Sequence, residues 1–352
     1  MTSQQPIASS ISAPAAPSIA GIIPGLLLSA LVAGAAATAA PFLSVIFPIP
    51  AMVLALLLGV ALNPLATRPW FQPGISFCLK TILPIAVALL GLRIAFGDIA
   101  ALGLSVAGLV MLAMIATIAS GFLFARLFGQ TQAYGALAGV GTAVCGASAT
   151  LATAMVLPDY KNKAADAAFV CIAVNALSTV AMLLYPLICT WLGFDERLSG
   201  VMLGATIHDV AQVVGAGYAV SEPAGNTAVI VKLFRVFLLL PVVLGIGWWF
   251  ARASVANVAS QVPVPYFALA FLALCVLNSV APSVDAVAPI FAQIKYPAIE
   301  ASSWGLLVAI SALGLGTSFA GITALGWRHV ATVTGTTVVV LALVTAGLMI
   351  LR

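Results

Sequence analysis

Eleven apolar stretches follow one another along the chain, each close to the length at which a single helix crosses a membrane, about 20 residues for about 30 Å of hydrocarbon. They run over residues 19–40, 50–65, 75–94, 104–127, 133–157, 164–192, 200–220, 227–250, 264–280, 304–325 and 330–351. Of the 352 residues 63% are hydrophobic and only 6% charged, which no soluble domain has the interior to absorb. Outer-membrane strands would be about 10 residues long and would alternate polar with apolar side chains, and that pattern is missing. The expectation is an all-α, polytopic membrane protein with about 11 transmembrane helices. Residues 1–18, rich in Ser, Ala, Pro and Gln and free of Lys and Arg, lack the charged start of a secretory signal. They are expected to be a disordered tail ahead of a single transmembrane domain over 19–352.

Polar connections such as Asp159-Tyr160-Lys161-Asn162-Lys163 and Asp195-Glu196-Arg197 leave no room for a separate soluble domain, so the work is done within or across the bilayer. The net charge of +4 is dispersed, without the basic cluster that nucleic acid would require. Five cysteines, at 78, 145, 171, 189 and 275, lie in apolar stretches with no C-x-x-C pair, so they are expected to pack rather than to hold a metal or a disulfide, and no cofactor is expected. If eleven spans alternate and the tail is cytoplasmic, Arg68, Arg126, Arg197, Arg252 and Arg328 share its side, against Lys161, Lys163, Lys295 and Arg352. This slight bias favours an internal N-terminus.

An internal repeat is visible. Residues 90–103 (LGLRIAFGDIAALG) match 313–326 (LGLGTSFAGITALG), and 50–63 (PAMVLALLLGVALN) match 265–278 (PYFALAFLALCVLN) in the same order. Copies over 50–103 and 265–326 are separated by an odd number of spans, which would set them in opposite orientations, an architecture of secondary transporters with substrate held near the midplane. Chance likeness between Leu/Gly-rich helices is the alternative.

Two stretches differ from lipid-facing helices. The fifth carries Gly139, Gly141 and Gly146 among Thr142, Cys145, Ser148 and Thr150. Small residues allow close helix packing. The same composition suits an unwound midpoint whose free N–H groups face an anion. The seventh holds His208, Asp209 and Gln212, and ionisable groups at mid-membrane are costly unless they serve a function or have a partner. In the eighth, Lys232 and Arg235 are three apart and share a face, which suggests an Asp209 counter-ion, an anionic substrate, or both in alternation. Arg93 and Asp98 are expected at an interface.

GTAVCGASA at 141–149, GATIHDVAQVVGAG at 204–217 and VKLFRV at 231–236, with LLGLRIAFGDI and SALGLGTSF, closely resemble the YeiH-type membrane proteins, a family often called sulfate exporters. The resemblance covers about residues 40–350 and implies a bacterial inner-membrane protein related to sodium/proton antiporters and bile-acid symporters. It implies broken, crossed helices in a mobile core beside a panel domain, with the Cys-Gly-Ala-Ser and His-Asp stretches in that core. The resulting expectation is a secondary transporter of a small inorganic or organic anion, with sulfate or an organosulfonate as substrate. Substrate contacts are expected from Thr142, Cys145, Gly146, Ser148, Gln212, Lys232 and Arg235, and coupling to H⁺ or Na⁺ from His208 and Asp209. An anion channel and an intramembrane serine hydrolase using Ser148 and His208 are the alternatives. Whether the chain forms a homodimer is left open.

Overall fold

A computed structural model describes residues 19–43, 50–94, 97, 102–251, 266–284, 288–317 and 326–352. The tail at 1–18, Asp98, and the repeat ends at 95–96, 98–101 and 318–325 lie outside the described residues. Among the described residues every regular element is helical, as a chain in hydrocarbon requires if its backbone N–H and C=O groups are to be paired internally.

In chain order the helices are α1 (Ile19–Leu43), α2 (Ala51–Ala61), α3 (Gln72–Leu92), α4 (Gly103–Leu127), α5 (Gln132–Ala143), α6 (Ala147–Val156) and α7 (Lys163–Trp191). There follow α8 (Glu196–Thr206), α9 (Val210–Val220), α10 (Glu222–Phe237), α11 (Leu239–Ala251), α12 (Tyr266–Val280), α13 (Ala288–Gly316) and α14 (Trp327–Leu351). Eight helical segments among the described residues are long and apolar enough to cross a membrane, α10 and α11 together making one of them. The shortfall from eleven falls on α2, α5–α6 and α8–α9. The predicted tenth span also shifts: α13 starts at Ala288, well before 304, because Lys295, Pro297 and Glu300 sit in an exposed first portion of the helix rather than in a loop.

The fifth and seventh stretches are not crossings. Gly141 backs directly onto the side chain of Thr150, leaving no room for a Cβ, so α6 folds back along α5. Gly135 near the start of α5 packs on Gly121 of α4, Phe122 of α4 stacks on Phe250 of α11 at 6.4 Å, and Gly247 of α11 meets Val156 at the end of α6. Both arms of this first hairpin therefore start and finish at the same end of the molecule, the near end, where α1 begins beside α3 (Gly25 against Gly74). The second hairpin does the same from the far end. Gly200 of α8 and Gly217 of α9 both lie on the first turns of α10, at Ala224, Gly225 and Thr227. The crossed broken helices expected from the family resemblance are thus replaced by two re-entrant hairpins. Hydropathy could not separate the two arrangements, since two half-length arms and one full crossing need the same number of apolar residues.

Two packing groups result. One comprises α1, α2, α3, α12 and α13, and the other holds α4 through α11 with α14. They meet where α9 lies against α2 and α13 and where α10 touches α12. Within the first group the asparagines at the ends of the two matched sequence stretches act in parallel: Asn63 donates to the Leu315 carbonyl (2.7 Å) and Asn278 to the Ile94 carbonyl (3.2 Å), each reaching a carbonyl at a helix end.

Candidate functional site

The hairpin tips, 144–146 and 207–209, meet beside the middle of α7, with Gly146 close enough to the His208 carbonyl that an added Cβ would lie 3.7 Å from it. Gly146 turns the first tip with φ +67°, in the left-handed region where a Cβ is strained, and its N–H closes onto the Gly141 carbonyl at 2.9 Å. The second tip is held by α7: Ser178 Oγ accepts N–H bonds from His208 (3.0 Å) and Asp209 (3.2 Å).

A helix that stops inside a membrane leaves its last carbonyls without partners. Here α5 and α8 both end at the tips, and α10 supplies the missing donors. Arg235 donates from Nε to Ala143 (2.9 Å), from Nη2 to Thr142 (2.8 Å), and from Nη1 to Gly204 and Ile207 (3.1 Å each). Lys232 Nζ donates to Val144 (2.6 Å), Ile207 (3.0 Å) and His208. Three acceptors around one Nζ match the three donors of an ammonium, so the cation is the form this geometry fits. Both side chains are fully buried. α8 reaches them because Gly200 and Gly204 let it approach the α10 backbone.

The outgoing arms begin at the same place, which puts two helix N-termini beside the cations. α9 is capped by Asp209, whose Oδ1 accepts from the Val210 N–H at 2.8 Å, whereas α6 starts at Gly146 with no side-chain cap. Each helix end carries about half a charge, so two N-termini offset two C-termini. Lys232 and Arg235 against Asp209 leave the junction about one unit positive, and Asp209 protonated would leave it about two.

Next to the tips lies a cavity of about 300 Å³ between the two groups. Cys145, Ser148, Asp209 and Val210 line it from the tips, and Leu79, Leu83, Pro84 and Val87 from α3. α3 carries a π-turn at Cys78–Ile82 here, since Pro84 has no N–H to give the carbonyl four residues back. Leu79 also borders a second cavity, of about 230 Å³, with Asn175 and Thr317. At the far end the groups are bridged: Arg93 lies 3.4 Å from the Glu222 carboxylate, donates to Ser303 Oγ at 2.7 Å and sits 5.9 Å from the centre of the Tyr218 ring.

Of the residues singled out from sequence, Cys145, Ser148 and Asp209 face this cavity. Lys232 and Arg235 lie behind the tips, engaged with carbonyls. Thr142 pairs with Thr336 of α14 at 2.9 Å, and His208 Nε2 with Thr337 at 3.0 Å. Gln212 is buried against Thr179 (3.4 Å), with its Oε1 unpartnered. Ser148 and His208 are not joined: the Ser148 hydroxyl contacts Cys145, at 2.9 Å from Sγ. Sequence reasoning missed Ser178, Thr336, Thr337 and the Arg93–Glu222 bridge. Hydroxyls within otherwise apolar stretches were the available signal for the first three.

A family model described as "Conserved hypothetical protein 698" matches residues 24–333. The UPF0324 membrane protein TauZ of Paracoccus pantotrophus is 43% identical over 93% of this chain and 95% of its own length. The chain belongs to the UPF0324 membrane protein family. UPF0324 membrane protein RB0971 of Rhizobium meliloti is 40% identical over 92% of each chain, and UPF0324 membrane protein CT0845 of Chlorobaculum tepidum is 38% identical over 91% of this chain and 87% of that protein. The motifs around both tips thus belong to a UPF0324 protein, and the chain is a multi-pass membrane protein.

Proposed function

We propose that this UPF0324 protein is a secondary active transporter of a small anion, sulfate or an organosulfonate, working by alternating access. The observation that carries the reading is the junction itself: an uncapped helix start borders a cavity between two packing groups, with two buried cations directly behind the hairpin tips. In this reading the anion is held by the α6 N-terminus with Cys145 and Ser148. Lys232 and Arg235 act on it through the positive potential behind the tips, and Asp209 is the counter-ion that keeps the empty site tolerable. The group with the hairpins is the moving core, and α1–α3 with α12 and α13 form the panel.

The Arg93–Glu222 bridge then closes the far side, while the cavity extends to Phe267 at the near-end start of α12. Counting each hairpin as a return, α2 with its following turn and the eight long segments make nine crossings among the described residues. The repeat copies remain inverted, because replacing two crossings by two returns preserves an odd separation. Lys161 and Lys163 move to the near end with Arg68, Arg126 and Arg328, and Arg197 moves to the far end with Arg93, Lys295 and Arg352. That strengthens the basic bias of the near end and favours a cytoplasmic N-terminus in the inner membrane. The coupling ion is H⁺ or Na⁺.

The test is uptake of labelled sulfate and taurine by proteoliposomes under an imposed pH or Na⁺ gradient. Accumulation above electrochemical equilibrium supports the transporter. Flux that stops at equilibrium identifies a channel instead, and no flux of either solute removes both as substrates.

A further inference from the structure

A second buried ionisable group lies away from the tips, at the near-end root of the first hairpin. Asp166, in the first turn of α7, is 5% exposed, and its Oδ1 is 3.5 Å from Nε2 of His329 at the start of α14. The imidazole is fixed edgewise against Tyr134 of α5 (4.7 Å between centroids) and Phe169 of α7 (5.7 Å), and Tyr134 donates its hydroxyl to the His329 carbonyl at 3.0 Å. Its side chain remains 26% exposed, so protons can reach it.

The groups facing this pair come from four elements. α5 contributes Tyr134, the connection before α7 contributes the buried Tyr160 hydroxyl, α7 contributes Asp166, and α14 contributes His329. The nearby cations are turned elsewhere. Lys163 donates to the Leu157 carbonyl (2.8 Å) and to Asp159 (3.1 Å), and Arg328 lies 5.9 Å from the centre of the Trp327 ring. A buried carboxylate without a cation is costly, and an imidazole is the side chain that ordinarily gains and loses a proton between about pH 5 and pH 8.

We propose that Asp166 and His329 form a proton-binding site, separate from the cavity, whose proton decides how firmly α14 is fastened to the root of the first hairpin. With the proton bound, His329 is the cation that Asp166 needs. Without it, a buried carboxylate faces a neutral ring and the contact loosens. α14 carries the effect inward: about two turns beyond His329, about 11 Å along the axis, Thr336 and Thr337 hold Thr142 and His208 behind the tips. The site does not depend on the anion reading, and its test uses no substrate.

The chain has two histidines, so full-length protein labelled with ¹³C at histidine Cε1 and placed in lipid nanodiscs gives two signals, with His329 assigned by its loss in His329→Gln. The His329 signal is expected to move as the sample is taken from about pH 8 to about pH 5, and Asp166→Asn to alter that response. The wild-type melting temperature is expected to fall between about pH 5.5 and about pH 8 by about 3 °C more than that of Asp166→Asn or His329→Gln. Should Asp166→Asn fail to fold, His329→Gln alone must show the flattened response. A His329 signal that stays still over this range, or variants whose melting follows pH as the wild type does, would overturn the proposal.

Discussion

Arg235→Ala is the perturbation that most directly tests how the two tips are held. The guanidinium makes four hydrogen bonds to carbonyls of both hairpins. Hydrogen bonds from a charged donor contribute about 1.5–3 kcal/mol each, so their gross loss is about 6–12 kcal/mol. Removing a buried cation returns several kcal/mol of desolvation, which leaves a net destabilisation of about 3–5 kcal/mol. At roughly 2–4 °C per kcal/mol, the melting temperature should drop by about 6–20 °C. Arg235→Lys keeps the charge but has three donors on a compact head, so it should lose about half as much. The assay is thermal unfolding of purified protein in detergent, followed by tryptophan fluorescence. The helices still insert, because hydropathy is unchanged or raised, and the anion uptake proposed above should be lost with the junction. An Arg235→Ala protein melting within about 2 °C of wild type would show that these bonds do not hold the tips together.

Three further outcomes follow from the geometry. Arg93→Ala removes the far-end bridge, so labelling of Cys145 by an impermeant maleimide from that side should rise several-fold, as read by peptide mass spectrometry; an unchanged rate would place the closure elsewhere. Gly146→Ala puts a Cβ on a residue with φ +67° and should cost about 1–2 kcal/mol, measured as a fall in melting temperature; Ala at Gly34, where an added Cβ meets nothing within 4 Å, is the comparison. Thr336→Val strips the buried Thr142 hydroxyl of its partner and should cost about 1 kcal/mol, whereas after Thr142→Val the Thr336 hydroxyl still donates to the Val333 carbonyl (2.8 Å); Thr142→Val should cost less in the Thr336→Val background than in the wild type, and strict additivity of the melting shifts would deny the contact.

The membrane class, most helix positions and the unusual polarity of the stretches that form the tips were legible because they depend on hydropathy and on the rarity of charge in hydrocarbon. Lys232 and Arg235 stood out for that reason, but their partners could not be inferred. Backbone carbonyls leave no mark in a sequence, and the anion and Asp209 were the only negative groups in view. The return of α6 onto α5 was invisible for a related reason: Gly141 and Thr150 look the same in a straight helix as in a hairpin. In retrospect each hairpin opens with a capping residue, Thr131 accepting from Tyr134 N–H (3.1 Å) and Asp195 from Leu198 N–H (2.7 Å), yet ordinary crossings open likewise. Arg93 was expected at the membrane interface, and its bridge between the two groups through Glu222 and Ser303 left no sign in the sequence.

Both tips hang from a single helix, α10, by Lys232 and Arg235. They are therefore expected to travel as one piece. A pair of spin labels spanning the two hairpins should keep its separation under all transport conditions, whereas a label on α10 paired with one on α3 should report the proposed movement between the two groups.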